Sequence, residues 1–226
     1  MNDWKLALFS GLSQASGMED IIDTAAKAVH HLGFDFCGWK TQRSHPETGP
    51  LVLTVASAEE ALYRRTVSAA PTDARHSQWS GIAQEELHTH APALLQKAAV
   101  EYAHYSWVHP AKDERTGAYS VFYADSVEPL SQARLQDVSD DMQWVAAAIH
   151  ASMFHMPVRQ NPPLTLREKN IIIRISKGES VETIADQLRL SLATTAFHLE
   201  SAQYKLQTPD QEQAAAKALF LGLLDE

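Results

Sequence analysis

Residues 164–224 read LTLREKNIIIRISKGESVETIADQLRLSLATTAFHLESAQYKLQTPDQEQAAAKALFLGLL, and this stretch decides the fold. Thr165 and Glu168 form a T-x-x-E capping box, in which each side chain satisfies the other's free backbone donor. Ile171, Ile172 and Ile175 follow at helical spacing, and Gly178 stops that helix. Ser180 is placed to cap a second helix that buries Val181, Ile184, Ala185 and Leu188. Ser191 is placed to cap a third, with Leu192, Thr195, Leu199, Ala202 and Leu206 turned inward. Thr208-Pro209-Asp210-Gln211 reads as a further capping box with proline at the first helical position. It opens an alanine-rich fourth helix running to about Leu221, before Gly222. The second and third helices are joined by a short turn at Leu190-Ser191. A helix-turn-helix of this kind places one helix in the DNA major groove.

With those residues in view, the segment resembles the C-terminal helix-turn-helix of LuxR-type quorum-sensing regulators. The matching positions are Leu164-Thr165-x-Arg167-Glu168, Gly178, Ile184-Ala185, Ser191, Thr194, Phe197-His198, Lys205-Leu206, Ala216 and Gly222-Leu223. The resemblance implies that the helix beginning near Leu192 is the recognition helix and that the fourth helix helps form a homodimer. It assigns contacts to double-stranded DNA to Lys177, Arg189, Ser191, Thr194, Thr195, His198 and Lys205. Departures from the family pattern fall in the same region. Glu179 stands where a lysine is usual, Thr195 where a valine is, and Ser201-Ala202 where Asn-Ile is. From Gln160 to Glu226 there are seven Lys and Arg against nine Asp and Glu. Because DNA affinity is dominated by cations that neutralise phosphates, this domain must rely on local placement of the few it has.

A net charge of −9 argues against general affinity for nucleic acid or anionic membranes. The hydrophobic share, 45%, is enough for two small cores. The single cysteine, Cys37, excludes an internal disulfide framework and suits a reducing cytoplasm. The N-terminus lacks the basic-then-apolar pattern of a signal peptide, and no apolar run is long enough to span a membrane, so a cytoplasmic protein is expected. Met156-Pro157-Val158-Arg159-Gln160-Asn161-Pro162-Pro163 carries three prolines and no periodicity. It divides a sensor domain at 1–156 from a helix-turn-helix domain at 164–226, with a proline-rich linker at 157–163.

The first domain reads as α+β, an α/β/α sandwich with helices on both faces of a central antiparallel sheet. Ser16-Gly17-Met18-Glu19 looks like a capping box ahead of Ile21, Ile22, Ala25, Val29 and Leu32. Residues 34–40, 51–56, 105–109 and 118–124 read as strands. Residues 58–67 and 91–103 read as helices, and residues 130–154 as a long one with Leu135, Val138, Met142, Val145, Ala146, Ile149 and Met153 on one side. This layout resembles the autoinducer-binding domain of the same family, through Gly33-Phe34-Asp35-Phe36 and Gly117-Ala118-x-Ser120. The resemblance implies an acyl-homoserine-lactone pocket or a divergent one taking another small molecule. Tyr63 stands for the family's pocket tyrosine, Asp73 for the aspartate that accepts the ligand amide, and Ser120 for a polar pocket residue. Trp79, Tyr102 and Trp107 are candidate aromatic walls, as apolar pockets are commonly lined by aromatics. The family's pocket tryptophan falls at Glu59 or Glu60, which have no indole N–H to donate.

No P-loop, G-x-G-x-x-G, G-x-S-x-G or H-E-x-x-H pattern is present, so no enzymatic role is expected. His88-x-His90 and His104 with His109 lack the clustering of a zinc site, and no metal is expected. Three readings follow. One is a dimeric, ligand-responsive transcriptional regulator. Another is a LuxR-like anti-activator that does not bind DNA and acts through mixed dimers with a related regulator. The third is a ligand-independent regulator whose pocket is closed by bulky side chains.

Overall fold

The apolar spacing in residues 18–32 makes a helix that sinks one side into a core, and the computed structural model shows where it goes. The structure describes residues 3–45, 49–58, 76–79, 105–114, 116–156 and 164–224. Helix α1, Asp3–Gln14, is not among the elements expected from the sequence, and α2 spans Met18–Leu32. The capping box expected at Ser16 is absent. Gly17 is the N-cap with no side-chain bond, and Ser16 instead bonds through its backbone N–H and hydroxyl to Asp20. Gly33 closes α2 at φ +97°, the left-handed turn that glycine adopts without a Cβ penalty.

Five strands follow: β1 Phe36–His45, β2 Gly49–Ala56, β3 His76–Trp79, β4 Tyr105–Asp113 and β5 Ala118–Ser126. Their order in the sheet is β2-β1-β5-β4-β3. β4 and β5 pair antiparallel, Trp107 opposite Ala124 and His109 opposite Phe122. The edge strand β3, missed in the sequence, pairs parallel to β4, so the sheet is not wholly antiparallel. The chain between Trp79 and Tyr105 is long enough for the crossover a parallel pair requires. Helix α3, Gln132–Phe154, begins at Ser131, whose side chain accepts the Arg134 backbone N–H. It packs on α2 and on β4 and β5. The helices expected at 58–67 and 91–103 and the linker at 157–163 lie outside the described residues.

The C-terminal helices match their capping chemistry closely. They are α4 Leu166–Ser176, α5 Val181–Leu188, α6 Leu192–Leu206 and α7 Gln211–Phe220. The Thr165–Glu168 capping box is complete, and Ser180 and Ser191 cap α5 and α6 through the backbone N–H of Thr183 and Thr194. At α7 the cap is Asp210 rather than Thr208, because the aspartate carboxylate accepts from Gln213 N–H. Ile171, Ile172, Ile184, Ala202, Leu206, Ala214 and Ala218, all fully buried, form the heart of this small core. Contacts divide the chain into two compact units, residues 1–41 with 54–156, and residues 42–53 with 157–226. Within the second unit, Arg43 Nη1 donates to the Leu219 carbonyl at 2.6 Å.

Candidate nucleic-acid interface

Helix α6 owes its orientation to one stripe. Thr195, Leu199, Ala202 and Leu206 are buried at helical spacing, and α4, α5 and α7 pack against α6. The opposite side must then face outward. Ala193 and Glu200 are exposed, Phe197 is 66% exposed and Tyr204 is 84% exposed. Leu192, expected inside, is half-exposed, because at the first helical position its side chain lies beyond the core edge.

The candidate contacts separate into three groups. Ser191 is exposed at the helix start, where its hydroxyl accepts Thr194 N–H at 3.1 Å and bonds the Thr194 hydroxyl at 2.8 Å. Lys177 and Arg189 are exposed, at the ends of α4 and α5, and His198 is half-buried with its ring 5.8 Å from that of Phe197. Thr195 and Lys205 correct the expectation. Thr195 is fully buried, its hydroxyl donating to the Ser191 carbonyl at 3.2 Å, so it has no surface to offer a base. The Lys205 ammonium donates to both carboxylate oxygens of Glu168, at 2.9 and 2.7 Å. A cation held by a buried carboxylate is not available to a phosphate.

Glu168 therefore does two jobs. It accepts the Thr165 backbone N–H at 2.7 Å, and it receives Lys205 and the Ser201 hydroxyl. Burial alone pushes its carboxyl up, but Lys205, Thr165 and Ser201 together hold it down at about 2. Arg174 is likewise engaged, with Glu179 at 3.1 Å and with Gln187. Glu179, which stands where the family has a lysine, thus neutralises a neighbouring arginine. Among the described residues, Arg167, Lys169 and Arg189 make no ion pair and no side-chain hydrogen bond. The sequence does not show that Lys205, the one Lys or Arg on α6, is engaged, because its pairing with Glu168 crosses between helices and leaves no local trace.

In the N-terminal unit, opposite partners in the β4–β5 ladder share a face, and alternation places Trp107, His109, Ser120, Phe122 and Ala124 together. Trp39 and Thr41 share that face. Trp39 Nε1 donates to His150 Nδ1 on α3 at 3.2 Å, and the Ser120 hydroxyl donates to Thr41 Oγ1 at 2.8 Å. His150 in turn faces the His109 carbonyl through Nε2 at 3.0 Å. Burial drives the His150 ring down to about 3, against the pull of the His109 carbonyl, with His109 itself adding a small push downward. Trp107 and Ser120, expected in a ligand pocket, are both fully buried, on the sheet face against which α3 packs. The opposite face carries Gly38, Lys40, Val121 and Tyr123. The Lys40 ammonium lies 4.9 Å from the centre of the Tyr123 ring, and that ring lies over Gly38. Tyr63, Asp73 and Tyr102 lie outside the described residues, and of Trp79 only the backbone, in β3 opposite Val108, is described.

Residues 162–218 match the family model described as bacterial regulatory proteins, luxR family. The C-terminal domain is a LuxR-type helix-turn-helix. Similarity to named regulators extends along nearly the whole chain. It is 22% identical to the transcriptional repressor ThaA of Burkholderia thailandensis over 217 residues, 91% of each protein. It is 24% identical to the transcriptional activator SolR of Ralstonia nicotianae over 217 residues, 88% of this chain and 89% of SolR. Among solved structures, that of the N-acylhomoserine-lactone-dependent LuxR family factor CepR2 from Burkholderia cenocepacia aligns at 19% identity. That alignment has a TM-score of 0.47 and covers 68% of this chain and 94% of CepR2. In this chain a helix-turn-helix follows an α+β N-terminal unit. Among the described residues no helix is long and apolar enough to cross a membrane.

Proposed function

We propose that the chain is a DNA-binding transcriptional regulator that works as a homodimer in the cytoplasm, its C-terminal helices reading two half-sites about one helical turn apart. The observation that carries this reading is α6. It is anchored by a buried stripe, capped by Ser191, outward-facing along its other side, and preceded in the turn by Arg189 with an uncompensated charge. Ser191, Thr194, His198, Arg189 and Lys177 are the contacts retained in the proposal, and Arg167 and Lys169 join them as uncompensated cations.

The sensor domain is proposed to take a small-molecule ligand, an acyl-homoserine lactone or another, against the sheet face of Gly38, Lys40, Val121 and Tyr123. The other face is filled by α2 and α3. Binding there shifts the population toward the DNA-competent dimer. A specific feature favours a second reading, an anti-activator acting through mixed dimers with a related LuxR-type regulator. The outward side of α6 carries Glu200 and no lysine or arginine.

Fluorescence anisotropy of the purified protein on a duplex pool, across a salt series, decides between them. Binding that weakens linearly with log salt supports the regulator. Absence of binding at low salt, with and without acyl-homoserine lactone, ends that reading and leaves the mixed dimer.

A further inference from the structure

The outward side of α6 has an unusual chemistry for a helix that meets DNA. Ala193, half-buried Ala196, exposed Phe197 and exposed Glu200 lie on it in the first two-thirds of the helix, and Tyr204 follows at its far end. In a helix-turn-helix the N-terminal part of the second helix meets the base edges. Ala193 to Glu200 spans about 10 Å along the axis at 1.5 Å per residue, roughly three base pairs.

Each side chain restricts what it can face there. Alanine and phenylalanine have no polar atom, and the apolar group exposed in the major groove is the thymine C5 methyl. Glu200 is an acceptor only. Guanine presents two acceptors, thymine an acceptor and adenine a donor beside an acceptor. Cytosine alone offers a donor, its N4 amino group, with no acceptor on its own edge. Tyr204 sits where a recognition helix leaves the bases, and its hydroxyl suits a phosphate oxygen. Arg189 supplies positive charge from the turn at the other end.

We infer that this helix reads each operator half-site through thymine methyls at Ala193, Ala196 and Phe197 and a cytosine amino group at Glu200. The inference rests on the DNA-binding reading proposed above and names the bases that reading leaves open.

The test is selection and sequencing of random duplexes by the full chain, wild type against Glu200→Gln and Phe197→Ser. Both residues are exposed, and unchanged melting temperatures verify that the variants fold. The wild type should enrich a two-fold symmetric site with thymines within about three base pairs of a C·G pair. Preference for that cytosine should be on the order of tenfold. Glu200→Gln should convert the preference to adenine, since an amide both donates and accepts. Replacing dT by dU at the conserved thymines should weaken the wild type about fourfold and leave Phe197→Ser less affected. An enriched site whose base preferences survive both substitutions overturns the readout and leaves the DNA-binding reading intact. No enrichment, with no retention of duplex at low salt with or without acyl-homoserine lactone, overturns both. A dimer or mixed-dimer mass that changes in Phe197→Ser then assigns the face to a protein.

Discussion

The two domains each bury a polar network, and they do so in opposite ways. Behind the sheet, Trp39, His150 and the His109 carbonyl are linked with no charge at all, and desolvation keeps the imidazole neutral. In the helical domain, Thr165, Glu168, Ser201 and Lys205 are linked around a full ion pair. On the sheet side, burial of the His150 imidazole disfavours its charged form. The four-helix core is small, so its carboxylate sits near enough to the surface to recruit a lysine that is still about one-fifth exposed. The same physical demand, that buried polar groups find partners, is met by tautomer choice in one domain and by charge pairing in the other.

The largest expected effect comes from breaking the ion pair on one side only. Lys205→Met leaves Glu168 buried without its cation and should destabilise the helical domain by about 3 kcal/mol, with Glu168→Gln less damaging because a neutral amide leaves no stranded charge. Thermal unfolding followed by far-UV circular dichroism measures both. Equal costs would show that the pair is solvated and contributes little.

Gly38→Ala should cost about 1–3 kcal/mol. A Cβ there would collide with the Tyr123 hydroxyl oxygen, and that ring is fully buried. Combined with Tyr123→Ala the penalty should largely vanish, a non-additivity that a double-mutant cycle reads directly. Additive costs would mean that Tyr123 is not what fills the space above Gly38.

Acid should separate the domains. The folded His150 ring titrates at about 3 against a usual 6.5, so the unfolded sensor domain takes up a proton first. Its contribution is fully present above pH 6.5 and is lost progressively as pH falls toward 3. Glu168 titrates at about 2 against a usual 4.5, so its contribution is present above 4.5 and is lost as pH falls toward 2. All five tryptophans lie in the N-terminal unit, so their fluorescence reports that unit alone. Fluorescence should change at higher pH than amide-exchange protection of α4 to α7 is lost, and His150→Gln should move the fluorescence transition down. Coincident transitions in the wild type would remove the distinction.

The smallest effect is on DNA. Arg189→Ala should lower the salt slope of operator binding by about 1, whereas Lys205→Arg, which keeps the pair with Glu168, should leave it unchanged. A slope that tracks Lys205 instead would mean that the pair opens on binding.

The helical domain was legible nearly to the residue because its signals are local. Thr165, Ser180 and Ser191 act on backbone groups within three positions. What failed there was the contact between helices: Lys205 looked free because its partner lies 37 positions away. In the sensor domain, strands were found but faces were not. Residue type suggests Trp107 for a pocket and the family resemblance suggests Ser120, but the face each occupies is fixed by register with β5 and β1, which no local signal carries. β3 is short and carries no alternation, so nothing marked it, and its parallel pairing is a property of topology rather than of local sequence. The exposed stripe of α6, with Phe197 and Tyr204, is the complement of its buried one and so is legible in the same periodicity.

Arg189 holds a left-handed backbone conformation at φ 54°, closing α5 through its N–H to the Asp186 carbonyl at 3.2 Å. Glycine is the residue that takes this conformation without steric penalty, and any other side chain gives up about 1 kcal/mol there. Two selections applied to a library at this codon should therefore diverge. Survival of heat would drift toward glycine, and repression or activation of a reporter would drift back to arginine. The codon that wins in each population measures how much stability this turn surrenders so that a positive charge can stand at the mouth of the recognition helix.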